Sequence, residues 1–487
     1  MPLTSLPSPY GVGTLGKEAY AFIDFLAEAE VDIWQLLPLN VTSYGDSPYQ
    51  SPSANGLNYY LIDLDTLVKK GLLKKEEIES VDFGSDPNRV DYGLLFNNRV
   101  PLLKKAFARF DKKSSSFRNF VKEGKYNDFA FFMTMKSLHS FAPWYEWGEK
   151  ESVYSPLLEK RVILENQDLY LFYVWTQYEF LKEYQELKSY AHKKNIRLMG
   201  DMPLYLAYDS IEAYKYPELF CFDENHRPTL VAGVPPDYFN ADGQLWGNPI
   251  YNWKKMKEDG YSWWNKRIEN NLELFDILRI DHFRGLSAYY TIPAGRKNAR
   301  VGEWMKGPGM DLFEGKKDLP IVAEDLGFID NDVKELLAET GYPGMKVLEF
   351  AFDGDKENEH KPSNSLYNYI CYTGTHDNDP LAGYLSSLGE KEKAKFKEDV
   401  KKECSLFAVP YDDKDDVALT HTVDSLAFAS PCRLTILPYA DVLALGSEAR
   451  INTPALMNGR NWTYRYTKKD FSRSVIRFLK ENIEKYR

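Results

Sequence analysis

Between Lys17 and Leu39 the spacing of apolar positions changes once. The segment KEAYAFIDFLAEAE, Lys17 to Glu30, places Tyr20, Ile23, Leu26 and Ala27 at the period of a helix with one apolar face. The run Ile33 to Leu39 that follows is short and apolar with a different period, which predicts a buried strand. The same pair recurs twice. A long helical pattern, Tyr170 to Asn195, precedes an apolar run, Ile196 to Leu204, and a short helix, Asn331 to Thr340, is closed by Gly341 and Pro343 before the run Met345 to Phe352. Strands that alternate singly with helices predict an α/β fold with a parallel sheet, and eight such units close into a (β/α)8 TIM barrel.

Two stretches interrupt the alternation. Residues 65–164 are charged and helical in pattern with no clear strand, and are read as an inserted helical subdomain. Residues 217–261 are rich in Pro, Gly, Asn and aromatics with little periodicity, and are read as an aromatic lid loop inserted near a site. The whole of 1–487 is then one barrel with insertions. The length also allows about three ordinary domains, so the alternation decides this reading and the residue count does not.

With 44% hydrophobic and 27% charged residues, the chain can build a sizeable core, which excludes a disordered protein. The net charge of −11 runs against a nucleic-acid or anionic-membrane binder. Cys221, Cys371, Cys404 and Cys432 lie far apart in sequence and are expected to be reduced, buried and unreactive. No apolar run is long enough for a membrane span, and Met1 to Leu15 lacks a basic segment followed by an apolar one, so a cytoplasmic location is expected. Aromatic residues make up 15% of the chain; flat rings with polar edges suit sugars, although their commoner use is core packing.

Three acidic residues follow apolar runs: Asp281 in ILRIDHFRG, Glu324 in LPIVAEDLG and Asp377 in YICYTGTHDND. In a parallel barrel the C-terminal strand ends share one mouth, so such carboxylates converge although distant in sequence. The separations of 43 and 53 residues place them on strands four, five and seven. Arg279 shares a strand face with Asp281, where its charge is expected to keep that carboxylate ionised and therefore nucleophilic. Burial after an apolar run is expected to raise Glu324 toward the value of a general acid.

The strings R-x-D-H-F-R-G, A-E-D-L-G and T-H-D-N in this order resemble the alpha-amylase clan and, more narrowly, glycoside hydrolase family 77, the 4-alpha-glucanotransferases. TSLPSPYGVGTLG, GDSPYQSPSANGLNYYLIDL, GDMPLYLAYDS, AGVPPDYFNADGQLWGNP and LGSEARINTP extend the resemblance over nearly the whole chain. It implies Asp281 as nucleophile, Glu324 as general acid/base and Asp377 as stabiliser of the distorted sugar in a retaining mechanism. It further implies that Arg279, Asp201, His376 and His282 surround the glucose. Tyr49, Asp237, Tyr238, Phe239, Gln244 and Trp246 would line the cleft and cover the acceptor, with Asn452, Asn461 and Trp462 close by. The implied partners are maltooligosaccharides and alpha-1,4-glucans, with no metal and no cofactor, acting on a monomer or homodimer.

The sequence departs from the family pattern in two places. Only Met1 to Thr4 precede the SLPS string, so the first barrel strand is expected to be short. Ala455 and Arg460 stand where the family has glycines around NTPALMNGRNW, which puts sugar contacts from that loop in question. A hydrolytic alpha-amylase or alpha-glucosidase would use the same carboxylates, but such enzymes commonly carry a C-terminal β-sandwich, and the 22 residues after Arg465 read as a helix. A metal-dependent hydrolase built on Asp281, His282, His376 and Asp377, and an inert maltodextrin-binding protein, are the remaining alternatives.

Overall fold

The computed structural model describes residues 1–236, 241–327 and 329–487. In chain order its strands are β1 (Ile33–Gln35), β2 (Arg197–Met202), β3 (Leu230–Val234), β4 (Gln244–Pro249), β5 (Ile277–Ile280), β6 (Ala288–Pro293), β7 (Glu303–Lys306), β8 (Ile321–Ala323), β9 (Gly344–Val347), β10 (Tyr369–Tyr372) and β11 (Leu434–Ile436). β1, β2, β5 and β8 pair in parallel in that order, as do β9, β10 and β11. The Ala323 amide donates to the Pro343 carbonyl at 2.9 Å and joins the two groups.

These parallel strands are short and buried on both faces. Ile33, Met199, Ile277, Val322, Met345, Val347, Ile370 and Tyr372 form one apolar cluster to which six of the strands contribute, and Leu434 and Ile436 of β11 pack against it. The alternate positions Trp34, Leu198, Leu278, Ile280, Ile321 and Ala323 join the larger core under the helices. Two covered faces explain why the sequence reads as continuous apolar runs instead of alternation. Gly200 is required by this layering, because a Cβ there would collide with the Phe275 ring at the entry to β5.

Lys17–Glu28 and Asn331–Thr340 are helices at the predicted places, as is Gln167–Lys193, three residues longer at its start than its apolar pattern. The three predicted strands are shorter than their apolar runs, β2 by one residue at its start and two at its end, the other two by more. β1 stops at Gln35, and β9 stops at Val347, where Leu348–Phe350 turn into a 3-10 helix. In both cases the run continues as buried loop, and burial alone does not separate the two. Residues 64–193 are helical throughout their regular elements, with no strand among the described residues.

Among the described residues of 217–261 there is more regular structure than the sequence suggests. β3 and β4 run through it and join β6 and β7 in an antiparallel sheet of order β4-β3-β6-β7. Alternation is obscured there because the register shifts between Val231 and Gly233, and the segment is broken by Gly233 and Gly247. A bulge of this kind shifts side chains between faces, so a period-two search misses it.

Cys371, Cys404 and Cys432 are buried as expected, Cys221 is only partly buried, and none of the four is in a disulfide. Cys371 and Cys432 lie side by side, and the hydrogen bond from Cys371 draws Cys432 down to about 7. No helix among the described residues is long and apolar enough to cross a membrane.

Candidate active site

Asp201 lies in β2, Arg279 in β5, Asp281 one residue past β5 and Glu324 one residue past β8. Because these strands are neighbours in register, Asp201 sits directly beside Arg279. Arg279 Nη1 bonds Asp201 Oδ2 at 2.6 Å and lies 3.2 Å from Asp281 Oδ1, while Nε reaches Met345 Sδ at 3.4 Å. Tyr49 donates its hydroxyl to the same Asp201 oxygen at 2.8 Å. The guanidinium side chain is only 4% exposed, whereas the Asp281 side chain is 28% exposed, so Arg279 forms the floor and Asp281 the reachable surface.

Arg279 pulls Asp281 toward its ionised form, as expected, but it does not act alone. Burial pushes the Asp281 carboxyl well above its ordinary range, Arg279 pulls against this, and Asp201, Glu324 and Asp377 add to the push. One guanidinium is shared by two carboxylates, and its shorter bond goes to Asp201. Glu324 is also raised, chiefly by burial, as expected of a general acid. Its two oxygens accept backbone amides of His282 at 2.7 Å and Leu326 at 2.9 Å, which aims the carboxyl and opposes the rise. The nucleophile and acid segments are tied directly, since Glu324 N–H donates to Ile280 O and its carbonyl accepts Phe283 N–H.

Asp377 belongs to the loop after β10. Its Oδ1 accepts Asn452 Nδ2 at 2.6 Å and lies 3.4 Å from His376 Nε2, and its side chain is 46% exposed. The Tyr49 ring stacks on His376 at 5.0 Å with 17° between planes, and Trp462 leans on both at 5.5 and 5.7 Å. Tyr49, His376 and Trp462 therefore act as one aromatic wall tied to Asp201.

His282 follows Asp281 with φ of 50°, an unusual left-handed turn for a residue with a side chain. Burial, helped by Arg284, drops its imidazole to about 3, so the ring is neutral, and buried Nε2 has no hydrogen-bond partner. Trp246 meets this ring edge-to-face at 4.8 Å and donates Nε1 to Gln244 at 3.0 Å. Trp246 also lines a cavity of about 1300 Å³ with Gln50, Tyr92, Phe96, Tyr145 and Tyr208.

Of the remaining sequence candidates, Asn461 is spent on its own loop, bonding Thr453 and Leu456 and facing no cleft carboxylate. Asp237, Tyr238 and Phe239 lie outside the described residues. In chain order among the described parallel strands, the three acids follow the third, fourth and sixth. That is one lower throughout than the expected fourth, fifth and seventh; the first described element is a 3-10 turn, Leu3–Ser5, and the first described strand is β1. Among the described residues no three His, Cys, Asp or Glu side chains are grouped to hold a metal ion.

The sequence reading gave no role to Arg450, although it lies in the quoted LGSEARINTP string. Its Nη2 donates to the Asp377 carbonyl at 2.6 Å and its Nε to the Asn452 carbonyl at 2.8 Å, so it sets both members of the Asp377–Asn452 pair. A basic residue two positions before a predicted sugar-contact asparagine was the available signal.

A family model described as 4-alpha-glucanotransferase matches residues 1–470. The 4-alpha-glucanotransferase of Thermus thermophilus is 43% identical over 479 residues, covering 95% of this chain and 93% of that one. That of Clostridium butyricum is 40% identical over 473 residues, covering 96% and 95%. The structure of amylomaltase from Streptococcus agalactiae in complex with acarbose matches with a TM-score of 0.93 at 40% identity, covering 100% of this chain and 98% of that one. The amylomaltase of Corynebacterium glutamicum, at 18% identity and a TM-score of 0.78 over 99% of this chain and 74% of that one, shares the fold. With a family model matched across the described cleft and relatives aligned nearly end to end, the chain belongs to the 4-alpha-glucanotransferases of glycoside hydrolase family 77.

Proposed function

We propose that this 4-alpha-glucanotransferase moves alpha-1,4-glucan segments from a maltooligosaccharide donor to a glucose or maltooligosaccharide acceptor through a covalent glucosyl ester on Asp281. The observation that carries the residue assignment is the convergence of Asp281 and Glu324 beside the buried Arg279, with Asp377 opening onto the same cleft. Glu324 protonates the glycosidic oxygen as Asp281 attacks the anomeric carbon with inversion. Glu324, now ionised, takes the proton of the acceptor hydroxyl, which displaces Asp281 with a second inversion.

The excess of carboxylates over cations supports this chemistry. An oxocarbenium-like centre brings positive charge into a site that holds too little of it, so the transition state relieves a repulsion that the empty cleft carries. The reaction needs Asp281 ionised and Glu324 protonated, and the Arg279 guanidinium 3.2 Å from Asp281 Oδ1 favours that division. Neutral His282 and the Asp377–Asn452 pair grip sugar hydroxyls. The stacked Tyr49, His376 and Trp462 wall one side and Trp246 the other, which excludes water in favour of a bound acceptor.

The same reading places the parallel strands in a closed barrel, residues 65–164 in a helical subdomain and 217–261 in a lid over the acceptor, to which Asp237, Tyr238 and Phe239 belong. It needs no metal, cofactor, nucleic acid or membrane, and suits a cytoplasmic monomer or homodimer. The test is to treat Glu324→Gln with alpha-maltosyl fluoride, whose leaving group needs no acid, and to digest the protein for mass spectrometry. A glycosylated peptide carrying Asp281 is expected; sugar on another carboxylate, or none, would overturn the assignment.

A further inference from the structure

The loop from Thr373 to Leu381 carries His376 and Asp377 at its crest and is held at both feet by one side chain. Asp441 Oδ2 accepts the Thr373 hydroxyl at 2.6 Å, and Oδ1 accepts the Leu381 amide at 2.7 Å. Asp441 is 1% exposed and belongs to the turn Tyr439–Val442 behind the cleft. We propose that Asp441 is a positioning residue for the transfer reaction: by gripping both feet of this loop it fixes where Asp377 stands. The inference rests on the role given to Asp377 above.

The connection from Asp441 to Asp377 is short and rigid at each step. Thr373 is two residues from Thr375, whose hydroxyl accepts the Asp377 amide at 3.2 Å. Asn378 Oδ1 accepts both the amide and the hydroxyl of Thr375, at 2.9 and 2.8 Å, closing the crest on itself. Asn378 Nδ2 donates to Glu349 Oε1 at 2.9 Å, and the Glu349 amide donates to the Thr373 carbonyl at 3.0 Å. Gly374 admits no spare volume, since a Cβ there would stand 3.3 Å from Asn378 Cβ and 3.8 Å from Asp441 Oδ2.

Asn452 holds the Asp377 carboxylate and Arg450 the Asp377 backbone carbonyl, but both act on a loop whose feet are fixed by Asp441. Beneath Asp441 lies Asp424, fully buried, with neither carboxyl oxygen bonded. A second carboxyl without donors of its own contributes no grip on the loop, so the donors of Thr373 and Leu381 are committed to Asp441. A carboxylate that accepts from two points eight residues apart removes more freedom from the segment between them than a single bond at either end.

The test compares Thr373→Val, which removes the hydroxyl at nearly constant shape, with Thr373→Ser, which keeps it, and with Asp441→Asn. In maltotriose disproportionation, Thr373→Val and Asp441→Asn are expected to lower kcat about 10- to 100-fold with little change in KM, the scale of an ångström of misplacement. Thr373→Ser should restore most of the rate. Because the effect travels through Asp377, Thr373→Val added to Asp377→Asn should cost almost nothing further.

Equal losses from Thr373→Val in both backgrounds, or a melting temperature that falls while kcat holds, would overturn positioning in favour of a scaffold role. If Asp441→Asn does not fold, the Thr373 variants decide the matter alone. An inert Thr373→Val beside a crippled Asp377→Asn would sink the clamp and leave Asp377 in place. Full kcat in Asp377→Asn would instead remove the role of Asp377 and the purpose of the clamp together.

Discussion

Two clusters of buried acids in this chain look alike in composition and differ in what surrounds them. In the cleft, Arg279 serves Asp201 and Asp281 while Glu324 and Asp377 add charge nearby. Where residues 59–70 cross the long helix Gln167–Lys193, Glu179 pairs with Lys70, and Glu183 Oε2 accepts the Asp63 amide at 2.8 Å. Asp63 accepts from Thr14 and Thr66, and fully buried Arg99 donates to the Ile62 and Tyr10 carbonyls. Burial raises Glu183 well above its ordinary range, as it raises Glu324. A raised carboxyl therefore does not mark a site by itself. What separates the clusters is access: Glu183 is 4% exposed and faces only protein, whereas Asp281 and Asp377 open onto the cleft.

The sharpest way to break this comparison is to neutralise the matched residues. Glu324→Gln and Asp281→Asn are expected to lower kcat for maltotriose transfer by about three orders of magnitude or more, whereas Glu183→Gln should stay within about twofold of the parent. A large loss in Glu183→Gln would mean that the joint reaches into the chemistry and that access is the wrong criterion.

Removing the cations gives the next largest contrast. Arg279→Met leaves Asp201 and Asp281 without their shared charge, and kcat should drop by about 100-fold. Lys70→Met leaves Glu179, whose side chain is 2% exposed, without its ion pair. That change should cost about 2 to 4 kcal/mol of stability in thermal melts and leave the kcat of the folded enzyme unchanged. A stable Lys70→Met protein with impaired transfer would reverse the assignment of the two clusters.

The sequence separates the clusters only in part. Asp281, Glu324 and Asp377 were legible because each ends an apolar run, and runs buried on both faces, such as Ile277–Ile280, stand out in a polar chain. Arg279 was legible as a partner, but its division between Asp201 and Asp281 depends on the pairing of β2 with β5, which local pattern does not encode. For the same reason the upward push on Asp281 from burial and from its acidic neighbours was not legible from Arg279 alone. Asp441 gave no signal, because its partners lie 60 and 68 residues away along the chain, and Arg450 gave only its place beside Asn452, since the Asp377 carbonyl it holds is 73 residues away. The antiparallel sheet was hidden by Gly233 and the register shift beside it. Ala455 shows the opposite case: its departure from glycine was visible, and the structure gives it φ of 60°, the left-handed region a glycine would occupy without strain.

The smallest expected effect is also the most selective for the joint. Glu183 is raised first by burial and then by Glu179, with the Asp63 amide and Lys70 opposing. A carboxyl that binds its proton more tightly folded than unfolded stabilises the protein fully below the ordinary value of 4.5 and loses that contribution as pH rises through its raised folded value. The parent should therefore lose stability between about pH 5 and pH 8 from this residue, and Glu183→Gln, which has no proton to lose, should not. Calorimetry at the two pH values should show the melting temperature of Glu183→Gln gaining about 1 to 3 °C on the parent as pH rises. Other groups titrate over the same range, but they are common to both proteins and cancel in the difference. A gap that stays constant with pH would show that Glu183 is ionised throughout, and the likeness between the two clusters would then end at composition.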